Sequence, residues 1–209
     1  MTYEEYLAWA DEDGHTEWVN GAVIIHMPPK HAHQVTVAFL LHLLRQFIEL
    51  FQLGQLLPAP FEMRAVAGGP AREPDLLFVA QAHLSRLSEA RLSGPADLVV
   101  EVVSDDSVAR DRADKFDEYQ AAGIPEYWII DSRPGHTRVD FYVLDPTGRY
   151  RPVPVDSDGR YRSTMLPGLW VQAEWLMAAE PPAVLQALAQ IVGPHKLLEA
   201  IGVQDRTPR

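Results

Sequence analysis

The order of hydrophobic and polar residues along the chain predicts alternating helices and strands. Apolar residues recur at helical spacing over residues 31–51, which predicts a long amphipathic helix that packs on a sheet and is ended by Gly54. Residues 97–103 are apolar on both alternating faces, which is typical of an interior strand covered on both sides. Further strands are predicted at 55–63, 74–79, 126–131, 138–144 and 150–155, with short edge elements at 161–164 and 169–171 and a short helix or turn at 83–89.

Two local signals organise the N-terminal part of the chain. Thr2 is placed to cap a short helix over residues 2–9, with Glu5 three residues later as its capping-box partner. Asn20-Gly21 stands between apolar, β-prone residues, which is the strongest short signal for a hairpin. We therefore expect a short helix followed by a β-hairpin.

The interior strand leads into a further helix. Asp106 or Ser107 can cap this helix, and Gly123 ends it. Helices that flank a mixed sheet give a single α/β or α+β domain, which suits a chain of 209 residues. The C-terminal part predicts a helix over 181–201 that is broken at Gly193-Pro194, and a disordered tail at 204–209.

Composition limits the kinds of metal site and the cellular compartment that we expect for the protein. The chain has no cysteine, so disulfides and thiolate metal sites are excluded. Its N-terminus is acidic and aromatic, unlike a basic, apolar signal peptide. No apolar run approaches the roughly 20 residues that span a bilayer. We expect a cytoplasmic protein that does not contact a membrane.

The net charge of −11 argues against broad, non-specific affinity for nucleic acid, although it leaves room for a local basic cleft. The chain carries 18 Lys and Arg residues, of which only Lys30, Lys115 and Lys196 are lysines. A lysine in a chain that prefers arginine suggests a position where a compact ammonium is needed.

Glu101 is the first candidate for chemistry, because it lies within the apolar run of the interior strand. A carboxylate in such a place is costly to bury unless it is paired, protonated or bound to a metal. It is either an ion-paired core residue or a ligand for a divalent cation, which prefers hard oxygen atoms. Asp75, at the entrance of a preceding strand, is either a turn residue or a second carboxylate that shares this cation.

Lys115 lies two turns into the helix that follows Glu101. It is either one half of a surface pair with Asp111, four residues earlier, or a group that reaches back to the metal-bound water and stabilises charge on a phosphate. Glu17, at the head of the hairpin, is on its spacing alone a strand-edge carboxylate. His31 and His33 are too few for a zinc site and are better explained as groups that cap the long helix or support ligands.

Several short motifs occur in order along the chain. They are Glu17-Trp18-Val19-Asn20-Gly21, His33, Glu73-Pro74-Asp75-Leu76-Leu77-Phe78-Val79, Asp97-Leu98-Val99-Val100-Glu101-Val102-Val103-Ser104, Arg110-Asp111-Arg112-x-x-Lys115 and Gly123-Ile124-Pro125-Glu126-Tyr127-Trp128-Ile129-Ile130-Asp131. In these motifs the chain resembles the Uma-two family of restriction-endonuclease-like proteins, a group within the PD-(D/E)XK nuclease superfamily. The resemblance covers residues 1–176.

The resemblance implies a restriction-endonuclease-like α/β domain over 1–176, with a mixed sheet flanked by helices, and a helical extension with a disordered tail over 177–209. It implies that Asp75 and Glu101 bind Mg²⁺, for which Mn²⁺ can substitute, together with the carbonyl of Val102. Glu17 matches the acidic N-terminal position of the family and joins the catalytic group.

Two departures from the pattern qualify this picture. In the superfamily a lysine usually lies two residues after the strand carboxylate, where this chain has Val103. The family places the lysine on the following helix, and Lys115 matches that position. Asp105-Asp106 stands where relatives often have a proline and a small residue, and its negative charges would weaken the approach of DNA.

We therefore favour a Mg²⁺-dependent nuclease that hydrolyses phosphodiester bonds in DNA. The alternative is a catalytically inactive nuclease fold that acts as a binding or assembly module. The acidic net charge and the missing lysine at position 103 support this alternative. Nucleases that cut both strands often pair, so a homodimer is one of the states that the sequence leaves open.

Overall fold

The computed structural model describes residues 1–10, 15–105, 107–108, 110–200 and 202. The strands are β1 Thr16–Val19, β2 Ala22–Ile25, β3 Gly54–Pro58, β4 Glu62–Arg64, β5 Leu76–Ala80, β6 Arg91–Ser93, β7 Leu98–Val102, β8 Glu126–Asp131, β9 Arg138–Leu144, β10 Tyr150–Pro152, β11 Arg160–Arg162 and β12 Trp170–Gln172. The α-helices are α1 Tyr3–Trp9, α2 His31–Phe51, α3 Lys115–Ala122, α4 Ala173–Met177, α5 Val184–Val192 and α6 Pro194–Ala200. A 3-10 helix covers Gln81–Arg86 and a π-helical turn covers Arg110–Asp114.

A six-stranded mixed sheet with the strand order β10-β9-β8-β7-β5-β3 forms the centre of the protein. β7 runs parallel to β8 and antiparallel to β5. Every residue of β7 is buried, which confirms the predicted interior strand. The predicted fold, α/β with a mixed sheet flanked by helices, is confirmed as well.

The two faces of this sheet are covered by different helices. Val100 and Val102 of β7 belong to the core that α2 and α5 complete. Val99 belongs to the opposite core, which contains Tyr119 of α3. Because side chains alternate along a strand, Glu101 points to the same face as Val99 and therefore towards α3.

The long helix α2 forms over the predicted residues. Its length and its mean hydropathy of 1.3 would allow it to cross a membrane, but a buried core helix meets the same criteria. In this structure its apolar face packs against the sheet and α5. Gln52, with a left-handed φ of 53°, ends the helix. The prediction that Gly54 ends it is wrong, since Gly54 already begins β3.

Both N-terminal predictions are confirmed. Thr2 and Glu5 form the reciprocal capping box of α1. β1 and β2 form an antiparallel hairpin, and Asn20 and Gly21 both take positive φ values at its turn. This is the geometry that Asn-Gly tolerates and most other pairs do not. Backbone hydrogen bonds between Trp18 and Ala71 place the hairpin beside the residues that lead into β5.

The strand predicted over 55–63 is in fact two strands in different sheets. β3 pairs with β5 in the central sheet, whereas β4 pairs in parallel with β6. Pro58, the last residue of β3, and Pro60, which lies between the two strands, lack the backbone N–H that a continuous ladder requires. The sequence did not predict β6, whose three residues are too few to show a period.

The segment between β7 and α3 is not the regular helix that was predicted. Asp106 lies outside the described residues. Ser107 Oγ accepts a hydrogen bond from the N–H of Ser104 at 2.9 Å and donates one to Asp111 at 2.5 Å. The π-helical turn follows, and α3 then runs to Gly123, which has the expected left-handed φ of 77°.

The C-terminal helix is broken at Gly193-Pro194, as predicted, between α5 and α6. Ala187 and Leu188 of α5 are buried against the α2 side of the sheet. The predicted tail at 204–209 lies outside the described residues.

Candidate active site

The side chain of Lys115 is the meeting point of several acidic residues. Its Nζ lies 2.9 Å from Oε1 of Glu101, 3.2 Å from Oε1 of Glu17 and 3.5 Å from Oδ1 of Asp111. Lys115 is 2% exposed. The contact with Asp111 therefore belongs to a buried cluster and is not a surface pair on a solvated helix.

The packing of α3 on the sheet explains how a helix lysine reaches a strand carboxylate. Val103, like Glu101, points to the α3 side, where it is buried in the same core as Tyr119. Tyr119, one turn after Lys115, donates a hydrogen bond from its hydroxyl to Oε1 of Glu101 at 2.9 Å. Helix α3 thus supplies two donors to one oxygen of Glu101. An ammonium reaches this carboxylate without a lysine at position 103.

Asp75 lies directly before β5 and beside the end of β7. Its Oδ2 accepts a hydrogen bond from the N–H of Val102 at 2.7 Å, and its Oδ1 lies 3.2 Å from Nε2 of His33. Asp75 and Glu101 are therefore brought to the same part of the sheet. His31 is exposed in the first turn of α2. The carbonyl of Val102 as a metal ligand stays a prediction.

Glu17 is completely buried behind Lys115. Its Oε2 accepts a hydrogen bond from Nη1 of Arg72 at 2.9 Å, and its Oε1 accepts one from the N–H of Glu73 at 3.2 Å. Burial alone would raise the pKa of Glu17, but Lys115, His26 and Arg72 lower it well below its usual range. Glu17 is therefore an ionised partner of Lys115 rather than a strand-edge group in water.

Arg72 is a part of this cluster to which the sequence assigned no role. It is 3% exposed, and its Nε and Nη2 donate two hydrogen bonds to the carboxylate of Glu118, at 2.8 and 2.7 Å. With its third bond, to Glu17, Arg72 ties β1 to α3. The available signal was its position directly before the motif that contains Asp75.

Two histidines, also without a predicted role, lie next to the acidic cluster. The rings of His15 and His26 stack with their centroids 4.4 Å apart. Their Nε2 atoms lie 3.5 Å from Oε2 of Glu73 and from Oε2 of Glu17, respectively. Burial and the neighbouring Glu17 raise the pKa of Glu73 to about 8, whereas burial lowers the pKa of His15.

The charges of the cluster are not balanced. Burial alone would lower the pKa of Lys115, but Glu101, Glu17 and Asp111 raise it well above its usual value, so the amine stays protonated. Burial, with the repulsion of Asp111, Asp75 and Glu17, raises the pKa of Glu101 to about 8 although Lys115 opposes this. The carboxyl groups outnumber the ammonium. A further positive charge in this cluster would therefore be stabilised.

The donor set fits a hard cation such as Mg²⁺ or Mn²⁺. Among the described residues, no three His, Asp or Glu side chains form a ready-made metal cage. Mg²⁺, however, is usually held by one or two carboxylates together with the phosphate of a substrate. Asp75 and Glu101 can provide the carboxylates. In the same region Asp111 Oδ1 and Glu73 Oε2 are buried and accept no hydrogen bond in the structure. These oxygens could accept bonds from metal-bound water.

These residues face a cleft of about 810 Å³. Its wall contains Asp75, Glu101, Val102 and Lys115, but not the fully buried Glu17. Of the predicted site residues, Asp75, Glu101, Val102 and Lys115 can thus contact a bound molecule. Glu17 contacts Lys115 but does not belong to the cleft wall. Further residues of the wall come from the end of the hairpin, the start of α2 and the segments that follow β7 and β8: His26, Lys30, His33, Asp105, Arg133 and His136.

Comparison with protein-family models assigns the chain to a family. Residues 3–176 match the model of the Uma2 family, which is described as "Putative restriction endonuclease". The chain belongs to the Uma2 family. The expected family is thereby confirmed. No curated protein sequence matches the chain.

Solved structures show the same fold. The crystal structure of a "putative nuclease belonging to DUF820" from Anabaena variabilis matches with a TM-score of 0.67 and 14% sequence identity. The match covers 86% of this chain and 98% of that one. At this identity the likeness shows the fold alone. Together with the Uma2 match, it indicates a restriction-endonuclease-like nuclease.

Proposed function

We propose that this Uma2 protein is a divalent-metal-dependent nuclease that hydrolyses phosphodiester bonds in DNA. The observation that carries the proposal is the 2.9 Å contact between the ammonium of Lys115 and Glu101, in the wall of a cleft that also contains Asp75. Carboxylates that can hold a cation and a fixed positive charge are the groups that phosphoryl transfer requires.

Asp75, Glu101 and the carbonyl of Val102 would hold Mg²⁺ or Mn²⁺. When bound, the metal supplies Lewis-acid polarisation of a phosphate oxygen and a lower pKa of an attacking water. Lys115 acts as a hydrogen-bond donor and a positive charge, and it stabilises negative charge that develops on the phosphate. Its raised pKa makes it unsuitable as a general base at neutral pH.

Glu17 and Arg72 would act through Lys115 rather than on the substrate. Oε1 of Glu17 forms an ion pair with Nζ of Lys115 at 3.2 Å, and its Oε2 accepts a hydrogen bond from Arg72, so Glu17 restricts where the ammonium can lie. Arg72 is itself anchored by two bonds to Glu118. This arrangement holds the ammonium in place before a substrate arrives, which favours catalysis by pre-organised charge.

The alternative of a catalytically inactive binding module has less support. That alternative expects Lys115 to point into solvent and to pair with Asp111 on the surface. Lys115 is 2% exposed and contacts two further carboxylates. Burying this charge has no evident benefit for a protein that only binds, since apolar residues of similar size would pack as well or better.

Incubation of the purified protein with supercoiled plasmid and with single-stranded DNA tests the proposal. We expect cleavage with Mg²⁺ or Mn²⁺ and none with EDTA. Glu101→Ala should abolish cleavage, whereas Glu199→Ala, which removes an exposed carboxylate on α6, should not. An inactive wild type, or equal cleavage by Glu101→Ala, would disprove the nuclease. For cleavage of both strands we propose a homodimer with one site for each strand. Linear rather than nicked product reports cleavage of both strands.

A further inference from the structure

Two positive side chains from different segments of the cleft wall meet on one exposed carboxylate at the mouth of the cleft. Lys30 is the residue before α2, Asp105 follows β7 and Arg133 follows β8. Nζ of Lys30 is hydrogen-bonded to Oδ2 of Asp105, and Nη1 of Arg133 donates to Oδ1 of Asp105 at 3.2 Å. Each oxygen of one carboxylate is thus held by a different cation.

Lys30 and Arg133 provide the accessible positive charge of the cleft. The lysine and arginine side chains in the described cleft wall are Lys30, Lys115 and Arg133. Lys115 is buried among carboxylates, whereas the side chain of Lys30 is 81% exposed and that of Arg133 is 21% exposed. In a chain with a net charge of −11, this pair is where a polyanion that enters the cleft would find attraction.

Arg133 is oriented towards this position by a separate ion pair. Its Nε and Nη2 donate to the two carboxylate oxygens of Asp131, at 2.9 and 2.8 Å. This two-bond contact fixes the plane of the guanidinium and leaves Nη1 for Oδ1 of Asp105, the oxygen that Lys30 does not bind. Arg133 would therefore keep its orientation when the group between it and Lys30 is exchanged.

Asp105 is the exchangeable member of the three residues. Its side chain is 57% exposed, and such exposed ion pairs contribute little to stability. The hydrogen bonds from Lys30 and Arg133 lower the pKa of Asp105, so its carboxylate is ionised at neutral pH. An anionic group with two oxygens, bound by two cations, is placed as one phosphate of a nucleic-acid backbone would be.

We propose that Lys30 and Arg133 bind a phosphate of the DNA backbone at the mouth of the cleft, and that Asp105 occupies this position when DNA is absent. The inference rests on the proposed function, because DNA supplies the phosphate. Asp105 is then a built-in competitor: DNA must displace it, and the protein binds DNA more weakly than the two cations alone would allow.

Binding of a fluorescently labelled DNA duplex, measured by anisotropy in EDTA between about 50 and 200 mM salt, tests the inference. Lys30→Ala and Arg133→Ala should each weaken binding and lower the slope of log affinity against log salt by about one. Asp105→Asn should tighten binding several-fold, and this gain should vanish when Lys30→Ala and Arg133→Ala are added. Thermal denaturation of each variant verifies the fold.

Matched controls change the same charge in exposed ion pairs elsewhere. Arg151→Ala removes a cation whose side chain is 68% exposed, and Asp158→Asn removes an anion whose side chain is 66% exposed. If the variants at the cleft mouth behave as these controls do, the phosphate position is wrong. The use of EDTA separates this outcome from a failure of cleavage, which is measured independently.

Inorganic phosphate distinguishes the two sources of the ligand. Competition of millimolar phosphate with DNA in the wild type, lost in the Lys30→Ala and Arg133→Ala double variant, supports a phosphate position that DNA uses. Phosphate binding that depends on this pair, without any DNA binding by the wild type or by Asp105→Asn, would overturn the assignment to a nucleic-acid backbone.

Discussion

Lys115 and Glu101 meet at the contact between a helix and an interior strand, with Nζ of Lys115 2.9 Å from Oε1 of Glu101. Both residues are buried, at 2% and 3% exposure. In such a place the interaction of the ammonium with the carboxyl oxygen is stronger than in water, and the cost of leaving the ammonium unpaired is high. Changes to either residue should therefore affect both activity and stability.

Removal of the ammonium should lower the rate of DNA cleavage more than it disturbs DNA binding. We expect Lys115→Met, which keeps a long side chain without the charge, to reduce the single-turnover rate by about 100- to 1000-fold. It should also lower the free energy of unfolding by about 3–5 kcal/mol, because buried carboxylates lose their partner. Lys196→Met, at an exposed lysine on α6, is the control. A wild-type rate in the folded Lys115→Met protein would contradict the assigned role.

The pH dependence of stability should report the raised pKa of Glu101. The folded protein holds this proton up to about pH 8, whereas the usual pKa of 4.5 applies when it unfolds. Between these values the folded state binds more protons, so metal-free stability should fall as pH rises from about 4.5 to 8. Glu101→Gln cannot lose this proton and should show a shallower fall in urea unfolding at pH 5 and pH 8. Parallel profiles for the two proteins would refute this expectation.

Arg72 should affect the chemical step although it does not line the cleft. Arg72→Met removes the arginine that bonds to both Glu17 and Glu118 and should lower the free energy of unfolding by about 3–5 kcal/mol. Because Glu17 then no longer fixes Lys115, we expect kcat to fall while KM changes little. Arg138→Met removes an arginine that is 63% exposed and paired with Asp140, and it should alter neither constant. An effect on KM alone would assign Arg72 to substrate binding instead.

Substitution of Glu126 should lower the stability of the protein without changing its activity. The carboxylate of Glu126 accepts hydrogen bonds from the backbone N–H groups of Thr164 and Met165 and from the indole of Trp128, and none of these residues belongs to the cleft wall. We expect Glu126→Gln to lower the free energy of unfolding by about 1.5–3 kcal/mol. Cleavage per folded molecule should remain at the wild-type level, as it should for the exposed Glu174→Gln. A selective loss of activity would show that the site extends to this loop.

The fold was predictable wherever a local pattern is long or specific. The helix α2, the interior strand β7 and the Asn20-Gly21 hairpin each carry such a pattern, and each forms where it was expected. β4 and β6 do not, because three residues contain no measurable period and their pairing joins segments far apart in the chain. The π-helical turn before α3 was also not predictable, since capping and spacing rules describe regular helices.

The site was predictable as a set of residues but not as a network. Apolar surroundings singled out Glu101, and the preceding strand and the following helix supplied Asp75 and Lys115 as candidates. The resemblance to the family assigned their roles and added Glu17. The contact between Arg72 and Glu17 spans 55 residues along the chain, and no spacing rule reports it. Such contacts depend on how the hairpin docks beside β5, which is a property of the packed structure.

Asp75 and Glu101 stand at buried strands of the central sheet, whereas Lys115 belongs to a short helix that begins with a π-helical turn. Helix ends and irregular turns open more readily than interior strands. On heating, we expect the lysine to leave the carboxylates before the sheet melts, so that inactivation precedes unfolding. Amide hydrogen exchange that is faster in residues 110–122 than in β7 would report this order. The protein would then pass through a state that is still folded but no longer cleaves DNA.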